Sequence, residues 1–314
     1  MPLAAGTPHD ELLAAGLRTV LCRGTLTVEH RCANAYESTF PSEIVTCRLD
    51  DGSRIRLFCK YGVSEYTSGF GHRRGVALEA AVYRDILSET SLTSPRFYGA
   101  HDGGRGSTWL VLGYLDDSER LNHSPDSEAA LSRAARWSAE FHAAGRAALS
   151  RRSVRAALVE YDEPYYLGWA GRATSAWKTS AAPARGFVEL RAHYLAAIPR
   201  LLDAAKTVIH GEFVPANILL AEASVYPVDW ESAAIAPGEI DLAALTYRWP
   251  DHLSMPARRV YEQARLADGW AAEADVFAAA RLYWVFRWLG DRGSQKLDGR
   301  GKRFFEGHLS SFSS

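Results

Sequence analysis

The amino-acid sequence predicts an α+β protein of two lobes, an N-terminal lobe of antiparallel strands with one helix and a larger, mostly helical C-terminal lobe. Three observations predict this class. Alternating apolar and polar residues mark strands in the first third of the chain, helical spacing of apolar residues dominates from about Asp116 onward, and a short strand pair interrupts the helices near residue 220. We therefore expect lobes at residues 1–115 and 116–314.

The N-terminal lobe is predicted from a hairpin pattern. Residues 43–49 (EIVTCRL) and 54–60 (RIRLFCK) alternate on either side of Asp51-Gly52, a pair that favours a tight turn. Apolar positions at helical spacing then predict a helix over 75–87 (GVALEAAVYRDIL). Two further strands around a glycine-rich turn are expected within 96–115.

The C-terminal lobe is predicted from amphipathic periodicity. Helices are expected at 127–145, 187–205 and 270–290, and two short strands at 217–220 (NILL) and 225–228 (VYPV). The four residues between these strands are few enough for a hairpin, so the second lobe should contain a small antiparallel pair among its helices.

Composition excludes several classes of protein. The 314 residues carry a formal net charge of −1, so there is no basic excess for nucleic acid or for an anionic membrane surface. The N-terminus has acids where a signal peptide carries a basic region, and no apolar run is long enough to span a bilayer. We expect a cytoplasmic protein whose four cysteines, Cys22, Cys32, Cys47 and Cys59, are reduced and bind no zinc.

The functional signal lies in residues 210–231. Asn217 begins the first predicted strand of the short hairpin and Asp229 follows the second, so both should lie at the same end of it. An amide oxygen and a carboxylate held together suit Mg²⁺. Glu212 stands five residues before Asn217, the spacing at which phosphotransferases place the acid that meets the acceptor hydroxyl.

The joint pattern H-G-E-x-x-P-x-N-I-L followed by D-W-E-x-x-x-x-x-P-G-x-x-D-L-A resembles the aminoglycoside phosphotransferase family, with HGE in place of HGD. These small-molecule kinases have a two-lobed fold similar to that of protein kinases, and the lobe order of this chain agrees. The resemblance rests on these residues: His210, Gly211, Pro215, Asn217, Ile218, Leu219, Asp229, Trp230, Glu231, Gly238, Asp241 and Leu242. It implies that Asn217 and Asp229 bind Mg²⁺ on ATP and that Asp241, together with His210, supports the catalytic loop.

A nucleotide site needs a strand lysine held by a helical glutamate, and Lys60 and Glu79 stand where the outline requires them. Phe58 shares the face of Lys60 and is expected beside the base. The segment 112–115 should join the lobes, with backbone groups near Gly113 and Leu115 at the adenine edge.

Two polar segments are less specific. In 38–43 (STFPSE), Ser38, Thr39 and Ser42 are candidates for covering the phosphates, and a plain polar turn is the alternative. The segment 69–75 (GFGHRRG) has the wrong glycine spacing and position for a dinucleotide fingerprint. A solvated loop is the preferred interpretation there, with a phosphate contact from Arg73 or Arg74 as the alternative.

The glutamate in the HGE triplet keeps the carboxylate and adds one methylene. Because Lys60, Asn217 and Asp229 are also retained, we expect an active variant in which Glu212 is the acceptor-side base or orienter. The acceptor is expected in the helical lobe, against 160–169 (EYDEPYYLGW), where Asp162 and Glu163 would meet ammonium groups. A helix start with its aromatic residues packed inward is the alternative for that segment.

The sequence thus predicts an ATP- or GTP-dependent O-phosphotransferase that acts on a hydroxyl of a small molecule such as an antibiotic, a sugar or a nucleoside. Two other hypotheses stay open. One is a pseudokinase that binds a nucleotide or metabolite and regulates a partner. The other is a protein-phosphorylating enzyme, which the absence of an A-P-E segment after Asp229 disfavours.

Overall fold

The N-terminal lobe is a five-stranded antiparallel sheet in the order β1-β2-β3-β5-β4. The computed structural model describes residues 6–36, 39–63, 70–104, 106–178, 186–270 and 274–292. The strands are β1 (Leu26–Ala33), β2 (Ser42–Leu49), β3 (Arg54–Tyr61), β4 (Phe97–Gly104) and β5 (Ser107–Gly113). The hairpin expected around Asp51-Gly52 is β2–β3, and Gly52 takes the positive φ of 83° that such a turn favours in glycine.

Two helices cover the two faces of this sheet. Helix α1 (Asp10–Leu21), which the sequence analysis did not predict, buries Leu13 and Leu17 against the face that carries Cys47 and Cys59. Helix α2 (Gly75–Asp85) lies on the opposite face and buries Val76, Ala80 and Val82 in the core that continues into the second lobe. Because side chains alternate along β3, Cys59 faces the core beneath α1 and Lys60 faces the other side of the sheet, where the cleft lies.

The C-terminal lobe is built from seven α-helices of the described residues. They are α3 (Ser127–Ala148), α4 (Arg152–Ala157), α5 (Glu163–Lys178), α6 (Phe187–Asp203), α7 (Glu239–Thr246), α8 (Asp251–Ala267) and α9 (Ala274–Arg292). Helices α3, α6 and α9 confirm the three predicted from periodicity, except that residues 271–273 of the third lie outside the described part. Helix α7 is buried all along its length, which places Asp241 inside the protein.

Short strands complete the second lobe. They are β6 (Glu119–Arg120), β7 (Val159–Glu160), β8 (Thr207–Ile209), β9 (Ile218–Ala221), β10 (Ser224–Pro227) and β11 (Ala234–Ala236). Strands β9 and β10 form the predicted hairpin, with Ile218 opposite Pro227. The α+β class is therefore confirmed. The boundary after residue 115 stays a prediction, and it falls between the end of β5 at Gly113 and the start of β6 at Glu119.

Within the described residues, no helix combines the length and the apolar character that crossing a membrane requires. All four cysteines lie in described segments, and none of them is in a disulfide.

Candidate active site

The β9–β10 hairpin brings Asn217 and Asp229 to the same end. The N–H of Val228 donates to the carbonyl oxygen of Asn217 at 2.9 Å, so the pairing continues one step past the strands and sets the two side chains at the mouth of the interlobe cleft. Asp229 has φ 72°, a left-handed conformation that is costly for a residue other than glycine. The carboxylate that follows the hairpin lies against β3, where its Oδ1 is 2.6 Å from Lys60 Nζ.

Lys60 joins the two lobes electrostatically. Its Nζ lies 2.7 Å from Glu79 Oε2 on α2 and 2.6 Å from Asp229 Oδ1. The lysine is only 3% exposed, so these contacts are weakly screened. Burial opposes its charge, but the carboxylates of Glu79, Asp229 and Glu231 outweigh burial and raise the pKa of Lys60 above its ordinary value. The lysine therefore stays cationic between the strand, the helix and the hairpin.

A cleft of about 200 Å³ opens beside this lysine. Its walls include Phe58, Gly113 and Leu115, the three residues expected around the base, as well as Lys60, Glu79, Asn217 and Asp229. Asn34 and Tyr36, at the end of β1, also line the cleft and had not been singled out in the sequence. The cleft thus has an apolar inner part and a charged end.

The predicted phosphate-covering segment is divided by the structure. Thr39 lines the adjoining cavity that contains Glu212 and donates to Glu231 Oε1 at 3.2 Å. Ser42 is buried in β2 opposite Lys60, and its hydroxyl accepts from Asn34 Nδ2 at 3.1 Å instead of facing a cavity. A phosphate contact from Ser42 therefore stays a prediction, and Ser42 lines neither this cleft nor the cavity at Glu212. Ser38 lies outside the described residues.

Asp241 fixes the backbone of the catalytic loop at His210 and Gly211. Its two carboxylate oxygens accept from the N–H groups of His210 at 2.7 Å and Gly211 at 2.9 Å, and His142 Nε2 lies 3.1 Å from the same group. Gly211 has φ 81°, and a Cβ there would overlap the carbonyl oxygen of Ser232. A glycine is required at this position, and the buried carboxylate fixes the backbone just before Glu212.

Glu212 is held by two arginines. Its Oε1 accepts from Arg73 Nη2 at 2.8 Å and from Arg287 Nη2 at 2.7 Å. Arg287 also donates to the carbonyl oxygen of Gly211 and stacks over the ring of Trp284, with 5.0 Å from Cζ to the ring centroid. The longer side chain of glutamate is therefore fixed in place by guanidinium groups from the loop before α2 and from α9.

Glu231 is a site residue to which the sequence analysis gave no role. One carboxylate oxygen from each of Glu212, Asp229 and Glu231 lies within 4.8 Å of the other two. Glu231 Oε2 is buried and accepts no hydrogen bond, although Lys60 Nζ is 4.0 Å away. Burial, followed by the charge of Asp229, raises the pKa of Glu231 to about 8. Its place two residues after Asp229 in the D-W-E triplet was the available signal.

A second cavity, of about 570 Å³, lies on the helical side of Glu212. That volume is typical of sites for small molecules. Its wall is aromatic and is formed by Tyr247, Trp249, Trp284 and Trp288. Arg73, Arg248, Arg287 and Asp291 also line it, and Arg73 pairs with Asp291 at 3.2 Å as well as with Glu212.

The residues expected to hold an amine are not part of that wall. Asp162 caps α5, accepting from the N–H of Tyr165 at 2.9 Å, and Glu163 is exposed in the first turn of the same helix. Neither lines the cavity at Glu212. Tyr165, Tyr166 and Trp169 are buried, as the alternative interpretation of this segment had it. The acidic wall predicted from Asp162 and Glu163 is therefore corrected to a helix start.

The sequence pattern also failed to identify Trp284, Arg287 and Trp288 of α9 as site residues, although one signal was present. Arg287 stands in an apolar helical run, RLYWVFRWLG, and is 2% exposed. A charged residue in such a position is rarely buried without a specific partner. The partner, Glu212, lies 75 residues earlier in the chain and is not visible from local pattern.

This fold and site define the class of protein, a kinase-like phosphotransferase. The model of the phosphotransferase enzyme family matches residues 60–276, and the chain belongs to that family. The family resemblance inferred from the HGE and DWE motifs is thus confirmed. Among curated proteins, none is significantly similar in sequence.

Solved structures of similar fold cover nearly the whole chain. The GDP complex of an aminoglycoside 2'-phosphotransferase-IIIa mutant has a TM-score of 0.63 and 13% identity, over 96% of this chain and 97% of the other. Choline kinase LicA from Streptococcus pneumoniae has 0.60 and 15%, over 96% and 99%. An aminoglycoside phosphotransferase APH(4)-Ia mutant with ADP and hygromycin B has 0.60 and 14%, over 95% and 97%.

Proposed function

We propose that this protein is an Mg²⁺-dependent O-phosphotransferase that moves the terminal phosphoryl group of a nucleoside triphosphate to a hydroxyl of a small molecule. One observation carries the proposal. The nucleotide-side cleft and the larger cavity at Glu212 share three wall residues, Ala216, Asn217 and Asp229. Two substrates seated in these cavities would therefore meet at the hairpin end that carries the oxygen ligands.

The side chains present fit a hard divalent cation. Asn217 and Asp229 offer an amide oxygen and a carboxylate, and the buried Oε2 of Glu231 adds an oxygen that lacks a hydrogen bond. We propose that Asn217 and Asp229 hold Mg²⁺ and that Glu231 adds to the negative charge around it. When bound, the ion would neutralise phosphate charge and orient the nucleotide.

Side chains and backbone groups of the protein bind the nucleotide and activate the acceptor. Lys60, fixed by Glu79, holds the phosphates of the bound nucleotide, and Phe58 with the backbone of Gly113 and Leu115 surrounds the base. Glu212 orients the acceptor hydroxyl and receives its proton. The acceptor oxygen then forms the new bond to phosphorus while the bond from phosphorus to the bridging oxygen breaks, and that electron pair stays on the nucleoside diphosphate.

The wall of the larger cavity favours a neutral or anionic acceptor with a flat apolar surface. Three tryptophans supply stacking area for such a molecule, for example a sugar ring or a nucleoside. The acids that line this cavity are already paired: Glu212, Glu231 and Asp291 with Arg73 or Arg287, and Asp229 with Lys60. A polycationic acceptor would have to displace those guanidinium groups, so we propose that polyamine antibiotics are poor acceptors.

The nucleotide is ATP or GTP, since structures of the same fold hold ADP or GDP. An inactive pseudokinase is the weaker interpretation, because decayed sites tend to lose a metal ligand or the strand lysine. Here Lys60, Glu212, Asn217 and Asp229 are all present around the two adjoining cavities.

Calorimetric titration of ATP with and without Mg²⁺ tests the nucleotide half. We expect wild-type protein to bind ATP with Mg²⁺ present and Asp229→Ala to lose the Mg²⁺-dependent part. Glu163→Ala is the matched control, because it removes an exposed carboxylate that lines neither cavity. Folded wild-type protein that binds neither ATP nor GTP would refute the proposal.

A hydroxyl-acceptor panel monitored by nucleoside diphosphate release tests the other half. The panel pairs neutral sugars and nucleosides with aminoglycosides at equal concentration. We expect transfer to a neutral or anionic member that exceeds transfer to any aminoglycoside. Preferred phosphorylation of a polyamine would contradict the assignment of the arginine-paired cavity as the acceptor site.

A further inference from the structure

The loop before α2 carries two consecutive arginines whose side chains go to different places. The N–H of Arg74 donates to the carbonyl oxygen of Glu231 at 2.8 Å, which ties the loop to the segment that follows Asp229. The exposed side chain of Arg74 then reaches outward to the carbonyl oxygen of Ala157, at 2.6 Å. Arg73 turns the opposite way, into the larger cavity at Glu212.

Arg73 contacts acids on both sides of the reaction path. Its Nη2 lies 2.8 Å from Glu212 Oε1, on the acceptor side, and its Nε lies 3.5 Å from Glu231 Oε1, on the metal side. Glu212, Asp229 and Glu231 each place one carboxylate oxygen within 4.8 Å of the other two. A phosphoryl group that passes from a nucleotide at Asp229 to a hydroxyl at Glu212 must cross this space, beside the guanidinium.

The other two cations near this space, Lys60 and Arg287, are less able to contact the phosphoryl group during its transfer. Lys60 is engaged by Glu79 and Asp229 on the nucleotide side. Arg287 is fixed behind Glu212 by the Gly211 carbonyl and the Trp284 ring. Arg73, with a side chain 26% exposed, lines the larger cavity together with Asn217 and Asp229, which this cavity shares with the cleft. Its planar fork of donors also matches phosphate oxygens better than an ammonium group does.

We infer that Arg73 is a catalytic cation that leaves its acidic partners to contact the transferring γ-phosphoryl group. This inference rests on the proposed function. In the reaction, charge on the oxygens of the transferred group is shared with the guanidinium of Arg73 while phosphorus moves from the bridging oxygen to the acceptor oxygen. Charge neutralisation of the Glu231 region by a bound cation would free the arginine for this contact.

The test is a comparison of two ligands that differ at the γ-phosphate, measured by calorimetry so that no turnover is needed. Mg²⁺ with AMP-PNP and Mg²⁺ with ADP are titrated into wild type, Arg73→Gln, Arg73→Lys and Arg74→Gln. We expect Arg73→Gln to weaken AMP-PNP binding by about 10- to 100-fold and ADP binding by less than about twofold. Arg74→Gln, the matched control from the same loop, should bind both ligands as wild type does.

Each result of this experiment either supports or overturns the role inferred for Arg73. Equal loss of both ligands in Arg73→Gln, or no loss of either, would overturn it while leaving the phosphotransferase proposal standing. Failure of wild-type protein to bind AMP-PNP and ADP would instead refute the proposed function. If Arg73→Gln does not fold, Arg73→Lys takes its place in the test. A lysine retains the charge and should preserve part of the preference for AMP-PNP over ADP. An equal loss of AMP-PNP and ADP binding in folded Arg73→Lys would then overturn the inference.

Discussion

The nucleotide side and the acceptor side of the cleft are built differently. On the nucleotide side, Lys60 ties together three elements, with Glu79 on α2 and Asp229 after β10 both within 2.7 Å. On the acceptor side, Glu212 is held by Arg73 and Arg287 under a wall of tryptophans. The first side has the charge pattern expected of a kinase-like enzyme, while the second is built from groups on α9 and the loop before α2. Substrate choice should therefore be set by α9 and the loop before α2.

Removal of Glu212 should have the largest effect, because it should impair catalysis on the acceptor side and leave nucleotide binding nearly unchanged. Glu212→Ala takes away the group proposed to receive the acceptor proton, so kcat should fall by about 10²- to 10⁴-fold. Glu212→Asp shortens the side chain by one methylene, and a displacement of about 1 Å should cost on the order of 10²-fold. Nucleotide binding, measured by calorimetry, should change little in either variant. Glu140→Ala, which alters an exposed acid on α3, is the control. Unaltered turnover in Glu212→Ala would remove this residue from the mechanism.

Loss of Asp241 should impair both sides together, since they share the catalytic loop. This carboxylate is 1% exposed and is the acceptor for two buried N–H groups, those of His210 and Gly211. Asp241→Ala should lower the free energy of unfolding by about 3 kcal/mol, because each buried donor left unpaired costs roughly 1–3 kcal/mol. Denaturant unfolding measures the change, with the exposed Asp268→Ala as the control. A loss of less than about 0.5 kcal/mol would mean that the loop keeps its conformation without this brace.

The nucleotide side could be predicted from sequence because its geometry follows from short-range rules. A four-residue connection between two strands fixes which ends of the hairpin meet, and so places Asn217 beside Asp229. Strand alternation likewise places Lys60 and Phe58 on one face. Ser42 shows the limit of such rules. The sequence places it in the phosphate-covering segment, but it is the first residue of β2, and its hydroxyl accepts from Asn34, just past the end of β1.

The acceptor side could not be predicted in the same way, because its partners are far apart in the chain. Arg73 and Arg287 reach Glu212 across 139 and 75 residues. Asp162 and Glu163 looked suitable by composition, yet the local rule that prevails there is helix capping, which turns Asp162 toward the N–H of Tyr165. Helix α1 was missed for a related reason. It is 12 residues long, and packing of Leu13 and Leu17 against the sheet supports a helix of marginal length.

The positive charge of the acceptor side should appear in the pH dependence of stability. Burial, followed by the charges of Arg287, Arg73 and Arg172, lowers the pKa of His72 to about 2 from its ordinary 6.5. The folded protein keeps this histidine neutral while the unfolded chain protonates it, so stability is lost as the pH falls below about 6.5. The expected slope from this residue is about 1.4 kcal/mol per pH unit below pH 6.

His72→Gln measures that contribution directly. Urea unfolding between pH 7.5 and pH 5 should show a shallower loss of stability in this variant than in wild type. His252→Gln, which changes an exposed histidine on α8, should keep the wild-type slope. A wild-type slope in His72→Gln would mean that Asp291, whose Oδ1 lies 3.5 Å from His72 Nε2, stabilises the protonated ring in the folded protein.

The smallest effect is expected from the cysteines, which all belong to the nucleotide lobe. Cys47 and Cys59 lie in the core between the sheet and α1, and burial raises the pKa of Cys47 to about 12. A thiol reagent such as DTNB should therefore modify exposed Cys22 quickly and half-buried Cys32 more slowly, and should reach the two buried thiols only after denaturation. Nucleotide affinity should be unchanged by the first two modifications, because neither cysteine lines the cleft. Rapid reaction of Cys59 in native protein would show that β3, the strand that carries Lys60, opens from its back face, and the nucleotide side would then be less rigid than the acceptor side.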